Sequence, residues 1–261
     1  MMAIQPRKPA DEWSKTIVEF QSPHKLRELC IPQSGDQVSA KNITLDQQKF
    51  KIRLATSDDR VQSASLLIHK MYSWRGYDAA TINCDPNRVT LLAFDQDAIV
   101  GTLTLGLDSP VGLQVDDLYK AEIDALRADG RKVCELTKLA VDESVKSKQV
   151  LAALFHIAYI YGRNIHNGTD FVIEVNPRHV LFYKRMLGFN HFGPERHCER
   201  VSAPAVLLRL ELEYSEREIA RLGGLGKNAV NEKSLYPYFF SKQDELGITA
   251  RLQRGENNPG A

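Results

Sequence analysis

Residues 147–166 are apolar on nearly every side at helical spacing, with His156 set among alanines, leucines and aromatics. A helix of that kind has no face to give to water, so other elements must surround it. Its neighbours in the chain say which. RKVCELTKLAVD (131–142) before it reads as a strand, and TDFVIEV (169–175) after it is the short continuous apolar run of a central strand. NPRHVLFYKRMLGF (176–189) then predicts a short helix in which Asn176 caps, Pro177 suits the first turn and Gly188 ends the run. AVLLRLELE (205–213) alternates and reads as the last strand.

Upstream, FKIRLA (50–55) alternates as a strand, and Thr56 to Asp59 offer caps for a helix carrying Val61, Ala64, Leu67, Ile68 and Met71 on one stripe. VTLLAFD (89–95) and AIVGTLTLGLD (98–108) flank Gln96-Asp97 as a hairpin. VDDLYKAEIDALRADG (115–130) is an amphipathic helix that Gly130 stops. Strand–helix–strand–helix–strand, preceded by a strand-rich half, predicts an α/β (α+β) fold: a mixed central sheet with helices on both faces. Residues 1–48 hold Pro6, Pro9, Pro23 and Pro32 without sustained periodicity and read as an extended or partly helical arm. Residues 49–213 form the domain. Residues 214–261 are an extension whose YPYFF (236–240) either covers a cleft or joins a partner subunit.

Composition narrows the function. The chain has 261 residues, is 43% hydrophobic and carries a formal net charge of +1. A chain of that size buries about 70% of its unfolded surface and needs no covalent staples. Near-zero charge argues against a dedicated nucleic-acid binder, which needs a positive excess or a basic stripe. Cys30, Cys84, Cys134 and Cys198 form no CxxC pair, which fits reduced thiols and no zinc site; His191, His197 and Cys198 cluster without a second ligand pair. The amino-terminal residues show no secretory leader, and Val150 to Tyr161 is too short to span a bilayer. A cytoplasmic protein with no metal, no nucleic-acid partner and no transmembrane segment is expected.

Chemistry concentrates on two segments. Strict alternation from Val133 puts Glu135, Thr137, Leu139 and Val141 on one face of a strand and Cys134, Leu136, Lys138 and Ala140 on the other. Glu135 and Lys138 then share a cleft only if a β-bulge lies between them; otherwise Glu135 stands at a strand edge and Lys138 snorkels outward. On the short helix, Tyr183 either packs in the core or aims its hydroxyl at a reaction centre.

Together these pieces resemble the GNAT acyltransferase superfamily over residues 50–213. IHKMYSWRGY (68–77), GLQVDDLYKAEIDALRADGRKVCELTKLAVD (112–142), QVLAALFHIAYIYG (149–162) and VNPRHVLFYKRMLGF (175–189) resemble, more closely, the FeeM-type long-chain N-acyl amino acid synthases, relatives of the acyl-homoserine-lactone synthases. That resemblance implies an N-acyltransferase that moves a fatty acyl group from the phosphopantetheine thioester of acyl carrier protein to the amine of an amino acid, with no further cofactor. It also implies two splayed central strands, here 131–142 and 169–175, that admit the pantetheine arm. Glu135 matches the glutamate that helps deprotonate the amine. Lys138, at a position usually Arg, and Arg75 are the implied anchors for the amino-acid carboxylate. Leu139, Ala140 and Val141, Lys146, Ser147 and Lys148, with Asn176 and Tyr183, are the implied donor-binding residues. ESVKSKQV (143–150) holds none of the glycines with which acetyl-CoA enzymes wrap a pyrophosphate at a helix start, so a carrier-protein donor is favoured. An acetyl-CoA-dependent N-acetyltransferase and a catalytically silent carrier-protein-binding module are the rival readings.

Overall fold

The structure is a computed structural model that describes residues 16–22, 48–55, 65–69, 85–95, 98–142 and 148–256. Nine strands among them make a mixed sheet: β1 (Thr16–Ser22), β2 (Gln48–Leu54), β3 (Arg88–Asp95), β4 (Ala98–Leu107), β5 (Val133–Val141), β6 (Asp170–Val175), β7 (Asn190–His191), β8 (Arg196–Cys198) and β9 (Ala203–Glu211). Their order is β1-β2-β3-β4-β5-β6-β9-β7, with β8 added beside β9. Every pairing is antiparallel except β5 with β6, the pair that the buried helix connects.

Alternation along the central strands divides two cores. Cys134 and Leu136 on β5, Phe171 and Ile173 on β6, and Val206, Leu208 and Leu210 on β9 face one large cluster. That cluster contains α2 (Lys148–Tyr159), α3 (Val180–Leu187), α4 (Leu212–Leu222) and part of α5 (Lys242–Glu256). Val133, Val172 and Leu207 face the other way, onto Tyr119, Ile123 and Leu126 of α1 (Asp116–Ala128). The helical residues 65–69 lie on that second side as well, where Ile68 meets Leu92, Phe94 and Ala140.

α2 is buried at Val150 and from Ala152 to Tyr159, as its composition requires, and continues as a π-turn over Ile160–Ile165. Gly162 sits in that turn because a Cβ there would stand 2.8 Å from the Phe171 ring. The glycine lets the helix press directly on β6. Beyond it, Asn176 accepts from the Arg178 amide, Pro177 starts a 3₁₀ turn, and Gly188 closes α3 with φ +83, as predicted.

Three expectations need correction. The region read as an arm contributes an edge strand: β1 pairs with β2, and the Arg251 guanidinium donates to the Ile17 carbonyl (2.6 Å). β9 stops at Glu211, and Leu212 already begins α4, because Leu212, Ile219 and Leu222 form a helical stripe on the main core. YPYFF does not line the cleft described below, and most of it packs inside the fold. Tyr236 and Phe239 are buried in the main core, and Phe239 and Phe240 stack on the His156 ring (4.8 and 5.3 Å). His156 is held there from both nitrogens, since Nδ1 accepts from the Phe240 amide and Nε2 meets the Glu245 carboxylate at 3.3 Å.

Candidate active site

The cleft exists because two strands part. β5 and β6 pair at Val133–Asp170, Cys134–Phe171 and Glu135–Val172, and no further, although β5 runs on to Val141 and β6 to Val175. The parting follows from a bulge on β5. Opposite β4, Thr137 pairs with Thr104 and Ala140 with Thr102, so Lys138 and Leu139 fill the space of one residue. Lys138 adopts φ +53, a left-handed conformation that costs a non-glycine residue energy, and the Thr102 hydroxyl clamps the Lys138 carbonyl at 2.7 Å.

This bulge overturns the strict alternation read from the sequence. It lies at Lys138–Leu139, just past the stretch between Glu135 and Lys138. It also reverses the strand's faces: Leu139 and Val141 pack on the core that holds Cys134 and Leu136, while Ala140 shares the opposite side of the sheet with Glu135. The outcome is the common cleft, of about 420 Å³, lined by residues 135–141, by Glu174, Val175 and Asn176, and by His179, Phe182 and Tyr183. Of the apolar stretches 98–105 and 149–161, Leu151 alone reaches it; the others fill the core.

Glu135 stands at the point of divergence, 1% exposed. Burial pushes its carboxyl up to about 7, and the nearby Glu174 adds to this; Arg88, a hydrogen bond from the Gln114 amide and Arg200 oppose it. The Gln114 amide donates to Oε2 at 2.8 Å. That donor is fixed by the turn before α1, where Asp116 accepts from the Leu113 amide (2.7 Å) and is gripped by Arg127. Gly112 is needed in this turn: its φ is +79, and a Cβ would sit 2.8 Å from the Asp116 carboxylate. A buried carboxyl that titrates near neutrality, within a cleft, is the electrostatic profile of a general base.

Across the gap, Glu174 on β6 accepts from Arg200 at 2.7 Å, and both line the cleft. The sequence reading missed this pair. Glu174 carried a signal, as a charge that interrupts the apolar run following Asp170 on β6, but Arg200 comes from a 3₁₀ turn with no periodicity to mark it. Lys138 is half-buried in the same wall, and burial, followed by repulsion from Arg88, lowers the pKa of its ammonium.

The remaining implied residues divide into three groups. Leu139, Ala140, Val141, Asn176 and Tyr183 all line the cleft. Tyr183 is oriented by edge-on contacts with Phe182 (5.2 Å) and Phe189 (5.8 Å). Lys148, the first residue of α2, does not line it; its ammonium lies over the Tyr238 ring at 5.7 Å. Arg75, Lys146 and Ser147 lie outside the described residues. Among the described residues, no three His, Cys, Asp or Glu side chains converge as metal ligands, and no helix is long and apolar enough to cross a membrane.

The family described as N-acyl amino acid synthase FeeM matches residues 63–211, more than half of the chain and all of the cleft. The chain belongs to the FeeM N-acyl amino acid synthase family. Among solved structures it is similar to FeeM, an N-acyl amino acid synthase from uncultured soil microbes, with 28% identity and a TM-score of 0.59 over 64% of this chain and 92% of that one. The acyl-homoserine-lactone synthase LasI is similar at 15% identity and TM-score 0.45, over 63% of this chain and 91% of that one. An aminoglycoside 6'-acetyltransferase is similar at 15% identity and TM-score 0.45, over 62% and 96%. No curated protein sequence matches the chain. This FeeM-family chain is thus an N-acyltransferase on a mixed α/β fold whose central strands splay.

Proposed function

We propose that this FeeM-family enzyme transfers a long-chain fatty acyl group from the thioester of acyl carrier protein to the amine of an amino acid. The observation that carries the reading is Glu135, a buried carboxyl near neutrality where β5 and β6 part. An ammonium has no lone pair to attack with. Glu135 takes its proton, directly or through a water, and the freed amine adds to the thioester carbonyl. The backbone amides around Leu139 to Val141 hold the oxygen as it gains charge. The C–N bond forms, the C–S bond breaks, and Tyr183 supplies a hydroxyl beside the leaving sulfur.

An amino acid also brings a carboxylate, and Lys138 and Arg200 line the same cleft as Glu135. Lys138→Ala and Arg200→Ala are each expected to raise KM for the amino acid about tenfold, roughly 1.4 kcal/mol of binding, with little change in KM for the donor. Neither should affect the matching amine that lacks the carboxylate. Equal effects on both substrates would assign these cations a structural role.

For the donor, Arg178, Lys184 and Arg185 are exposed on the outer side of the segment whose inner side lines the cleft, around Leu181 at 73% exposure. Such a surface suits an acidic carrier protein. Lys184→Glu/Arg185→Glu should cut kcat/KM for an acyl carrier protein donor about tenfold at low salt, less at high salt, and leave acyl-CoA unaffected. If acyl-CoA is the better substrate and the double variant uses carrier protein normally, the donor assignment is wrong.

A further inference from the structure

Thr137 is the residue of β5 between the general base and the bulge. Its hydroxyl oxygen is shut off from solvent and has no hydrogen-bond partner among the described residues. Thr104 lies directly opposite on β4, but its hydroxyl turns to that of Thr90 at 2.9 Å and makes no bond to Thr137. Thr102, the next hydroxyl along β4, is committed to the Lys138 carbonyl. A buried hydroxyl left in this state is costly, and native chains retain one where something outside the chain completes it. Thr137 borders both the main cleft and the narrow gap behind it, which Lys138, Glu174 and Tyr183 also line, yet none of these side chains reaches its hydroxyl. A ligand entering the cleft can supply the partner that the described residues do not.

We infer that Thr137 is a further catalytic residue whose hydroxyl donates to the carbonyl oxygen of the acyl donor. The inference rests on the thioester chemistry proposed above. Along the strand, Thr137 follows Glu135, which prepares the amine, and precedes Leu139 to Val141, whose amides receive the same oxygen. As nitrogen adds to the carbonyl carbon, the C–O π electrons move onto oxygen, and the Thr137 O–H, keeping its proton, strengthens its hydrogen bond to that oxygen. When the C–S bond breaks, the carbonyl re-forms and the hydrogen bond relaxes. A donor that gains strength only in the transition state acts on kcat rather than on binding.

The test compares wild type, Thr137→Val, which replaces the hydroxyl with a methyl of similar shape, and Thr137→Ser, which retains it. Rates are measured with whichever thioester and amino acid the wild-type enzyme uses, and Tm is measured without substrates. The Val variant is expected to lose about 30-fold or more in kcat with donor KM nearly unchanged, while its Tm stays level or rises. The Ser variant should recover most of the rate. Wild-type kcat in the Val variant, an equal loss in the Ser variant, or a Tm that falls in step with activity would each overturn the role, the last by showing that the hydroxyl has a partner within the protein. Wild-type inactivity with every thioester would instead overturn the proposed function and this role with it.

Discussion

Glu135→Gln should cut kcat/KM by about a hundredfold or more at neutral pH, the usual scale for loss of a positioned base. The isosteric amide can still accept from the Gln114 amide, so the fold has no reason to change. Wild-type kcat/KM should fall tenfold per unit below about pH 7 and level off above it, because Glu135 works only when ionised and its carboxyl is raised to about 7. The Gln variant should lack that inflection and gain steadily as the substrate ammonium loses its proton unaided. The stability effect has the opposite sign. A carboxyl raised from 4.5 to about 7 in the folded state favours folding at low pH, and that contribution is lost as pH rises through the folded value. At pH 8 the wild-type protein thus holds an ionised carboxylate in a buried place, at a cost on the order of 3 kcal/mol, and at pH 4 it does not. The Gln variant should melt higher than wild type at pH 8 and equally at pH 4. Near-native turnover at pH 7 would remove Glu135 from the mechanism.

Tyr236→Ala should be among the most destabilising single changes in the carboxy-terminal segment. Tyr236 is 1% exposed and its hydroxyl donates to the Leu187 carbonyl (2.7 Å), an orphan acceptor at the end of α3, with the Ser215 hydroxyl at 3.0 Å. Its neighbour Leu235 donates its amide to the Met186 carbonyl (2.9 Å). Residues 234–240 thereby tie α3 to α4, and α3 carries Phe182 and Tyr183 into the cleft. Truncation opens a cavity costing about 3–5 kcal/mol and strips a helix-end acceptor, so Tm should fall by roughly 10 °C. Tyr236→Phe keeps the packing, loses one hydrogen bond and should cost about 1–2 kcal/mol. Differential scanning calorimetry measures both. A Tyr236→Ala protein melting within 2 °C of wild type would show that this segment is not part of the core.

The same residues show why some of this was legible in the sequence and some was not. Hydrophobic period reveals elements whose faces are uniform, so the all-apolar α2, the β3–β4 hairpin and the capped α3 were readable from Val150, Gln96-Asp97, Asn176 and Gly188. The bulge was anticipated as a need but misplaced, because neither Lys138 nor Leu139 is a glycine or another residue that announces positive φ. Once misplaced, it reversed the assigned faces of Leu139, Ala140 and Val141. Glu174 and Arg200 meet over 26 positions of sequence through the turn that follows β8, and no local rule links them. Asp170, fully buried between Arg131 and Arg209, is another such pairing, invisible until β5, β6 and β9 are side by side. YPYFF has no helical or strand period, so its burial against His156 could be seen only after folding.

The most direct test of the account follows the acyl group itself. Purified enzyme is incubated with a long-chain acyl carrier protein and a mixture of amino acids, in parallel with acetyl-CoA and the same amines, and products are identified by mass spectrometry. The expected product is an amide whose fragments give one fatty acyl chain and one intact amino acid, formed by wild type and lost with Glu135→Gln. Acetylated amines, with the long-chain thioester left intact, would contradict the proposed transfer.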